Sequence, residues 1–239
     1  MKIDSRNMQY AELNRLVRDS RDEKLTLDNV LGQRYIGAGT SGKEIIINGT
    51  PGNALGAYLN GSKLIVHGNA QDAIGDTMNG GAIIVHGNCG DTTGYAMRSG
   101  EIYVEKNAGY RVGIHMKSYK ELFPTIVIGG RVGDFLGEYQ AGGIIIVLGI
   151  GAEGCPVGHF CGTGMHGGEM FIRSDTAPAG LPVQVCCSQA TTEDKESIRR
   201  YIERFVKHFG GDVEELLSGR FFKLTPNSAS PYKQLYVNN

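Results

Sequence analysis

LIVHGNAQDAIGDTMNGGAIIVHGNCGDTTGYAMRSGEIYVEKNAGYRVG, residues 64–113, decides the fold. Three apolar segments, LIV (64–66), IIV (83–85) and IYV (102–104), start 19 residues apart, and each leads into a glycine-rich run. Working outward, IIIN (45–48), IVIGG (126–130), IIVLG (145–149) and MFIR (170–173) continue the series. The anchors Ile47, Val66, Val85, Val104, Ile128, Val147 and Ile172 are separated by 19, 19, 19, 24, 19 and 25 residues, a base period of 19 with two insertions. A fixed period of this length marks stacked supersecondary units. Nineteen residues are too few for a strand, a packed helix and two loops, but they suit a coil of short strands with tight corners. Coils stacked about 4.8 Å apart pair each strand with its equivalent in the next turn, which makes a parallel solenoid.

Glycine keeps the same time. The chain has 36 glycines in 239 residues, about 15%, against an average of roughly 7%. One row runs Gly37, Gly56, Gly75, Gly94, Gly113 and, after longer turns, Gly137 and Gly158; a second runs Gly42, Gly61, Gly80. The punctuation Gly-x2-Gly-x3-Gly is complete at Gly49/Gly52/Gly56, Gly87/Gly90/Gly94, Gly130/Gly133/Gly137 and Gly151/Gly154/Gly158. These read as structural corners, where positive φ and close backbone approach favour glycine.

Alternation along the strands assigns an interior. Leu64, Ile83, Ile102, Ile126, Ile145 and Met170 form one inward column, and the row Val66 to Ile172 forms another. The residues between them point outward, yet they read Ile46, Ile65, Ile84, Tyr103, Val127, Ile146 and Phe171. An exposed stripe of that size is a liability in a soluble protein, so this packing or interface row should be covered by the terminal helices or by another subunit. Asn69, Asn88 and Asn107 share the period and read as an amide ladder; Asp72, Asp91 and Asp134 recur in the corners as turn formers.

Residues 1–30 read as an N-terminal helical cap and lead-in strand, with Tyr10, Leu13, Leu16 and Val17 at helical spacing. Residues 31–175 hold about seven coils. Residues 176–239 hold a helix that starts at Thr192, with Ile198, Ile202, Phe205 and Val206 on one face and Gly210 at its end. A short helix over 212–217 and an extended tail over 221–239, lying along the solenoid or a partner, complete one structural domain. The two insertions are placed at about 115–123 and 159–166.

Chemistry is signalled mainly by what is missing. A net charge of -1 offers no basic footprint for nucleic acid or an anionic membrane. No apolar run approaches spanning length and the N-terminus is too polar for a secretory signal, which predicts a cytoplasmic protein with reduced thiols at its 5 cysteines. No P-loop, dinucleotide fingerprint, H-E-x-x-H or G-x-S-x-G occurs. Cys155, His159, Cys161 and His166 lie close in sequence, but their spacing matches no common zinc site. His67, His86 and Glu105 stack as an outward, solvated column. No residue is assigned a catalytic, cofactor-binding or metal-binding role.

The coils over 32–173, about 60% of the chain, with GTPGNALGAYL, VHGNAQDAIGDTMNGG, VHGNCGDTTGYAMRSG and GRVGDFLGEYQAGG, resemble the C-terminal β-helix domain of the glutamate synthase large subunit. That family, often called the GXGXG domain, includes a subunit of formylmethanofuran dehydrogenase. No literal Gly-x-Gly-x-Gly occurs here, so the resemblance rests on the repeat as a whole. It implies a mainly β fold: a single-stranded, right-handed parallel β-helix between N- and C-terminal capping helices. It also implies a scaffolding and docking role. In glutamate synthase the chemistry sits on an N-terminal-cysteine glutamine amidotransferase domain and an FMN and iron–sulfur domain that reduces 2-iminoglutarate. Met1 is followed by Lys2 rather than cysteine, and no iron–sulfur cysteine cluster occurs. The expectation is therefore the structural subunit of a split glutamate synthase, whose partners are an amidotransferase subunit and an FMN/iron–sulfur subunit; a homo-oligomer is compatible with it. The alternative is a scaffold subunit of formylmethanofuran dehydrogenase or of another amidotransferase or oxidoreductase complex. An independent β-helix enzyme is disfavoured: a hexapeptide acyltransferase needs period-6 repeats, a pectin-degrading enzyme clustered charges on one strand face, and neither is present.

Overall fold

The computed structural model describes residues 1–227; of the tail expected over 221–239, the part from 228 on lies outside the described residues, and its start is a paired strand rather than an extended arm. The elements follow as β1 (Lys2–Asp4), α1 (Tyr10–Asp19), β2 (Lys24–Leu31), β3 (Glu44–Thr50), β4 (Asn60–His67), β5 (Asn79–Val85), β6 (Ser99–Val104) and β7 (Pro124–Ile128). After them come β8 (Ala141–Val147), β9 (Gly167–Arg173), β10 (Val185–Gln189), α2 (Thr192–Phe209), α3 (Val213–Ser218) and β11 (Phe221–Pro226). All the strands join one sheet of 11, ordered β1 to β9 in sequence and then β11 and β10. Pairing is parallel from β1 to β9 and antiparallel where β11 joins β9 and β10.

The register is the sequence repeat. Ile47 pairs with Val66, Val66 with Val85, Val85 with Val104, Val104 with Ile128, Ile128 with Val147 and Val147 with Ile172. At the N-terminal side the ladder continues past the seven repeats, through Leu27 opposite Ile47 and Ile3 opposite Leu27. The corners are bonded between successive coils as well. The N–H groups of Gly75, Gly94 and Gly113 donate backward to Leu55, Ile74 and Thr93 carbonyls, each at 2.8 Å. Those of Ala54, Ala73 and Thr92 donate forward, to Asp72, Asp91 and Tyr110, at 2.8–2.9 Å. Each corner thus finds its hydrogen-bond partners in the coils on either side.

This arrangement places non-glycine residues in the left-handed region, which the sequence did not announce. Tyr35, Ala54, Ala73, Thr92, Arg111, Phe135 and Phe160 form a column with φ between +55 and +63°. Tyr58, Thr77, Ala96, His115 and Tyr139 form a second, with φ between +49 and +56°. Between the two columns lies the row of Gly56, Gly75, Gly94 and Gly113. At Gly94 (φ +72°) a Cβ would stand 2.4 Å from Ile126 Cδ1, so both backbone and packing demand glycine.

Positive φ is not the reason for every glycine of the punctuation motif. Of the two reasons read from the sequence, only close approach applies at Gly52, Gly87, Gly90, Gly130, Gly133 and Gly158, none of which lies in the left-handed region. What excludes a side chain at these positions is the preceding coil. A Cβ on Gly52 would stand 2.3 Å from the Gly32 carbonyl oxygen, and one on Gly87 2.5 Å from that of Gly68. On Gly130 it would meet Asn107 Oδ1 at 2.3 Å. Gly133 is the mildest case, with Tyr110 Cδ1 at 3.0 Å and Gly109 C at 3.1 Å. Gly49 combines both reasons, with φ +129° and the Val30 carbonyl oxygen 2.1 Å from a would-be Cβ.

The interior is one apolar cluster from Ile3 to Leu224 that contains both inward strand columns. A corner contribution joins them, with Ile36, Leu55, Ile74, Val112 and Leu136 in one column and Leu59, Met78, Met97, Met116 and Met165 in another. Leu13 and Val17 of α1 belong to the same cluster, whereas Tyr10 and Leu16, assigned to that helix face from their spacing, are exposed.

The C-terminal helices lie on the face of the sheet rather than over its last strand, whose far edge is occupied by β11 and β10. α2 begins with a capping box: the Thr191 hydroxyl accepts from Asp194 N–H, while the Asp194 carboxylate accepts from Thr191 N–H. Its buried residues Ile198, Tyr201, Ile202 and Phe205 pack on Ile84, Tyr103, Val127, Ile146 and Phe171. Ile65 is partly covered, and Ile46 is half-exposed outside this cluster. Lys195 Nζ ties α2 to the end of α3, donating to the carbonyls of Leu217 at 2.9 Å and Gly219 at 2.7 Å. Lys223 on β11 bridges Glu169 and Asp194, each at 2.8 Å.

Two histidines lie at this joint. The His86 ring meets Phe209 edge-on at 5.0 Å, with His67 5.0 Å away and the Glu105 carboxylate 3.8 Å from Nδ1. Burial, followed by the neighbouring His67 charge, holds His86 below its ordinary value of 6.5, against an upward pull from Glu105. His208, 5.4 Å from the Tyr103 ring, is lowered by burial and then by Lys63 and other cations.

Three outcomes follow from this packing. Gly94→Ala should cost about 2–4 kcal/mol in urea unfolding, from left-handed strain plus overpacking, and Gly151→Ala, with φ +71° but no atom within 4 Å, about 1 kcal/mol. Ile146→Asp, which buries a carboxylate beneath α2, should cost about 3 kcal/mol or more. Because His86 and His208 are lowered in the fold, the unfolded chain takes up protons first: stability is whole above pH 6.5 and declines as pH falls through the unfolded and then the folded values. Thermal melts from pH 7.5 to 5 should show this decline, flattened in a His86→Asn/His208→Asn variant.

Candidate interaction surface

The asparagine row forms a ladder. Asn69 Oδ1 accepts from the Asn88 N–H at 2.9 Å and from its amide at 3.2 Å; Asn88 Oδ1 does the same for Asn107 at 3.1 and 3.2 Å. Asn107 Oδ1 then accepts from Arg131 N–H at 2.8 Å. A parallel aspartate ladder runs beside it: Asp72 Oδ1 accepts from Asp91 N–H at 2.9 Å, Asp91 from Tyr110 at 2.8 Å and Asp134 from His159 at 2.8 Å. These carboxylates hold the corners together by accepting one backbone donor from the following coil.

The first insertion lies where its spacing placed it, as a small hairpin between Lys117 and Pro124 closed by a Tyr119–Leu122 bridge. The second is corrected. Val132 pairs with Val157, 25 residues on, as Val147 does with Ile172, so the six extra residues precede Val157 and lie in 148–156 rather than 159–166. The corner glycines shift with it. Gly158 packs over Asp134, as Gly90 packs over Asp72, and the counterpart of Gly137 is Gly162, whose N–H donates to Leu136 at 2.8 Å. Gly151 and Gly154 belong to the inserted loop and touch nothing within 4 Å of a would-be Cβ.

The cysteines and histidines near this loop face different ways. Cys161 is an interior residue whose thiol burial pushes up to about 12, while His159 is exposed and leans on Phe160. His166 Nδ1 lies 3.0 Å from the Gly164 carbonyl. Among the described residues no three such side chains converge on a point that could hold a metal. The outward row, in contrast, is mostly used up beneath α2, which leaves the surface elsewhere for other molecules.

The left-handed columns supply that surface. Their side chains project from the corners as an aromatic and cationic track: His115 stacks on Tyr139 at 5.1 Å and meets Tyr95 at 5.9 Å, Phe135 stacks on Phe160 at 4.9 Å, and Arg111 lies 4.8 Å over Phe135 while pairing with Glu138 at 3.1 Å. Tyr58, Tyr95, Tyr110 and Phe160 are exposed, as are Tyr119, Leu122 and Phe123 of the hairpin. Rigid aromatics on a rigid scaffold provide contact area at low entropic cost, which suits the docking of another protein. Sequence reading overlooked this track because its members are of mixed type; their recurrence at the coil period was the available signal.

Comparison with known proteins bears on the fold and the family. A chain of the crystallised formyltransferase/hydrolase complex (FhcABCD) from Methylorubrum extorquens, in complex with methylofuran, has the same fold: the TM-score is 0.65 at 19% identity, over 92% of this chain and 88% of that one. An uncharacterized protein of Methanocaldococcus jannaschii, MJ1350, is 45% identical over 249 residues, spanning 98% of this chain and 95% of the relative. The model of the GXGXG motif family matches residues 6–227, and the chain belongs to that family.

Proposed function

We propose that this chain is the non-catalytic structural and docking subunit of a split glutamate synthase-type complex, folded as a right-handed, single-stranded parallel β-helix. The observation that carries this reading is that the stacked coils over 32–173 make up most of the family match over 6–227, and their sequences resemble the domain that packs against both reactive domains of glutamate synthase. The exposed Tyr119, Leu122 and Phe123 and the aromatic track give partners something to grip. An amidotransferase subunit would release ammonia from glutamine. A second subunit, with FMN and iron–sulfur clusters, would form glutamate from 2-oxoglutarate, and this chain would fix their separation. No described helix is long and apolar enough to cross a membrane, and the reading places the complex in the cytoplasm. A second reading, a scaffold subunit in a formylmethanofuran dehydrogenase or related complex, is supported by the fold shared with a chain of FhcABCD.

Affinity isolation of the tagged protein from its native cells, with mass spectrometry and an assay for glutamine-dependent glutamate formation, separates the two. Co-purification of an amidotransferase and an FMN/iron–sulfur subunit with that activity is expected. Recovery of molybdenum or tungsten enzyme subunits would favour the second reading, and a chain that purifies alone would sink both. Replacing Tyr119, Leu122 and Phe123 together by serine should diminish co-purification while shifting stability by no more than about 0.5 kcal/mol per site, since all three are exposed.

A further inference from the structure

We propose that the cavity beside the second inserted loop binds a compact oxyanion, a phosphoryl or carboxylate group. The preceding coil passes from Ile128 to Val132 in four steps, whereas the chain takes ten between the paired residues Val147 and Val157. Closing the coil therefore does not require the loop. Two of its three glycines do not serve internal packing either: Gly151 (φ +71°) and Gly154 (φ +70°) have nothing within 4 Å of a would-be Cβ, whereas Gly149 lies close to the Arg173 carbonyl, 3.0 Å from a would-be Cβ. Bare, left-handed backbone can turn its N–H groups toward a ligand. Arg131 steadies the loop from outside, donating to the carbonyls of Glu153 at 3.0 Å and Cys155 at 3.2 Å.

The loop and the end of the sheet border a half-open cavity of about 150 Å³, whose walls include Gly154, Arg173, Ser174, Asp175, Gly219 and Arg220. At about 30 Å³ per water this is room for roughly five waters, well below the 300–1,000 Å³ of ordinary small-molecule pockets. A compact group fills this space. Arg173 is pre-set: its Nε donates to the Leu216 carbonyl at 3.1 Å and its Nη1 to Leu148 at 3.3 Å. Gly219 leaves space for it, because a Cβ there would stand 2.5 Å from Arg173 Nε. Arg220 enters from the start of β11, with Nη1 on the Asp175 carbonyl at 2.9 Å. Among the described residues neither guanidinium is paired with a carboxylate, and both retain donors. Asp175 also lines the cavity, so its walls carry two positive charges and one negative. Two arginines with bare glycine backbone and a serine hydroxyl present the planar and point donors that phosphoryl and carboxylate oxygens accept.

Thermal melts of the full chain in inorganic phosphate, acetate or chloride at equal ionic strength test the site. Phosphate or acetate at saturation should raise Tm by about 2–4 °C over chloride. A rise with phosphate alone identifies a phosphoryl site, and one with acetate, a site that accepts carboxylates. Arg220→Gln, at an exposed position, should abolish the rise, while Arg98→Gln, exposed and outside the cavity, should retain it. Asp175→Asn should tighten binding. No rise in the native chain, an undiminished rise in Arg220→Gln, or weaker binding by Asp175→Asn would overturn the proposal, and none of these bears on which partner subunits the chain assembles with.

Discussion

Everything in this molecule depends on backbone hydrogen bonds made between coils at the offset of the repeat. A polar group shut away from water costs about twice what a satisfied one contributes, so a coil whose donors alternate backward and forward has no stable existence by itself. The strands impose the same demand on the anchor column from Ile47 to Ile172. Corners in the left-handed region, disfavoured for Tyr, Thr, Arg or Phe in isolation, are held because their N–H groups have nowhere else to go. The asparagine and aspartate ladders add side-chain acceptors to this pattern.

That dependence divides the surface into two kinds. One apolar face would be a hazard, and the chain covers it with α2, α3 and β11. The corner face carries stacked rings and remains open. A molecule that seals one greasy face with its own helix while leaving ordered aromatics on another is suited to hold other proteins in place. In the docking role proposed above, its rigidity would be the functional property, since a support that deformed could not hold its partners in register.

Much of this was legible in the residues. The anchor spacing gave the strand register because parallel pairing across identical coils admits only a constant offset. The helix start read at Thr192 lies one residue after the Thr191 cap, whose box with Asp194 fixes it. Other features were hidden for definable reasons. Glycine spacing marks where the corners are but not which demand each glycine answers: Gly94 is needed for its φ as well as its packing, whereas Gly52 and Gly133 answer only the approach of the coil before them. Between Gly149 and Gly168 the motif is complete only at Gly151/Gly154/Gly158, whereas the structural counterparts of Gly130, Gly133 and Gly137 are Cys155, Gly158 and Gly162; only the pairing of Val132 with Val157 decides that the extra residues come early. The left-handed columns escaped notice because Tyr, Ala, Thr, Arg, His and Phe all occupy them, so the conformation is imposed by the stack and not by local preference. Arg173 and Arg220 are distant in sequence and meet only because β11 returns antiparallel to β9, a long-range event that no local pattern encodes.

A coil that bonds only to its two neighbours also has a consequence for descent. Thickness can change in whole layers: duplicating or deleting one stretch of nineteen codons within the regular region alters the height by about 4.8 Å and leaves every column continuous. Shorter indels must bulge outward at a corner, as the hairpin after Lys117 and the loop before Val157 do. Lineages of this architecture would therefore diverge along two separate axes, stepwise in stature and freely in the ornaments on the corners.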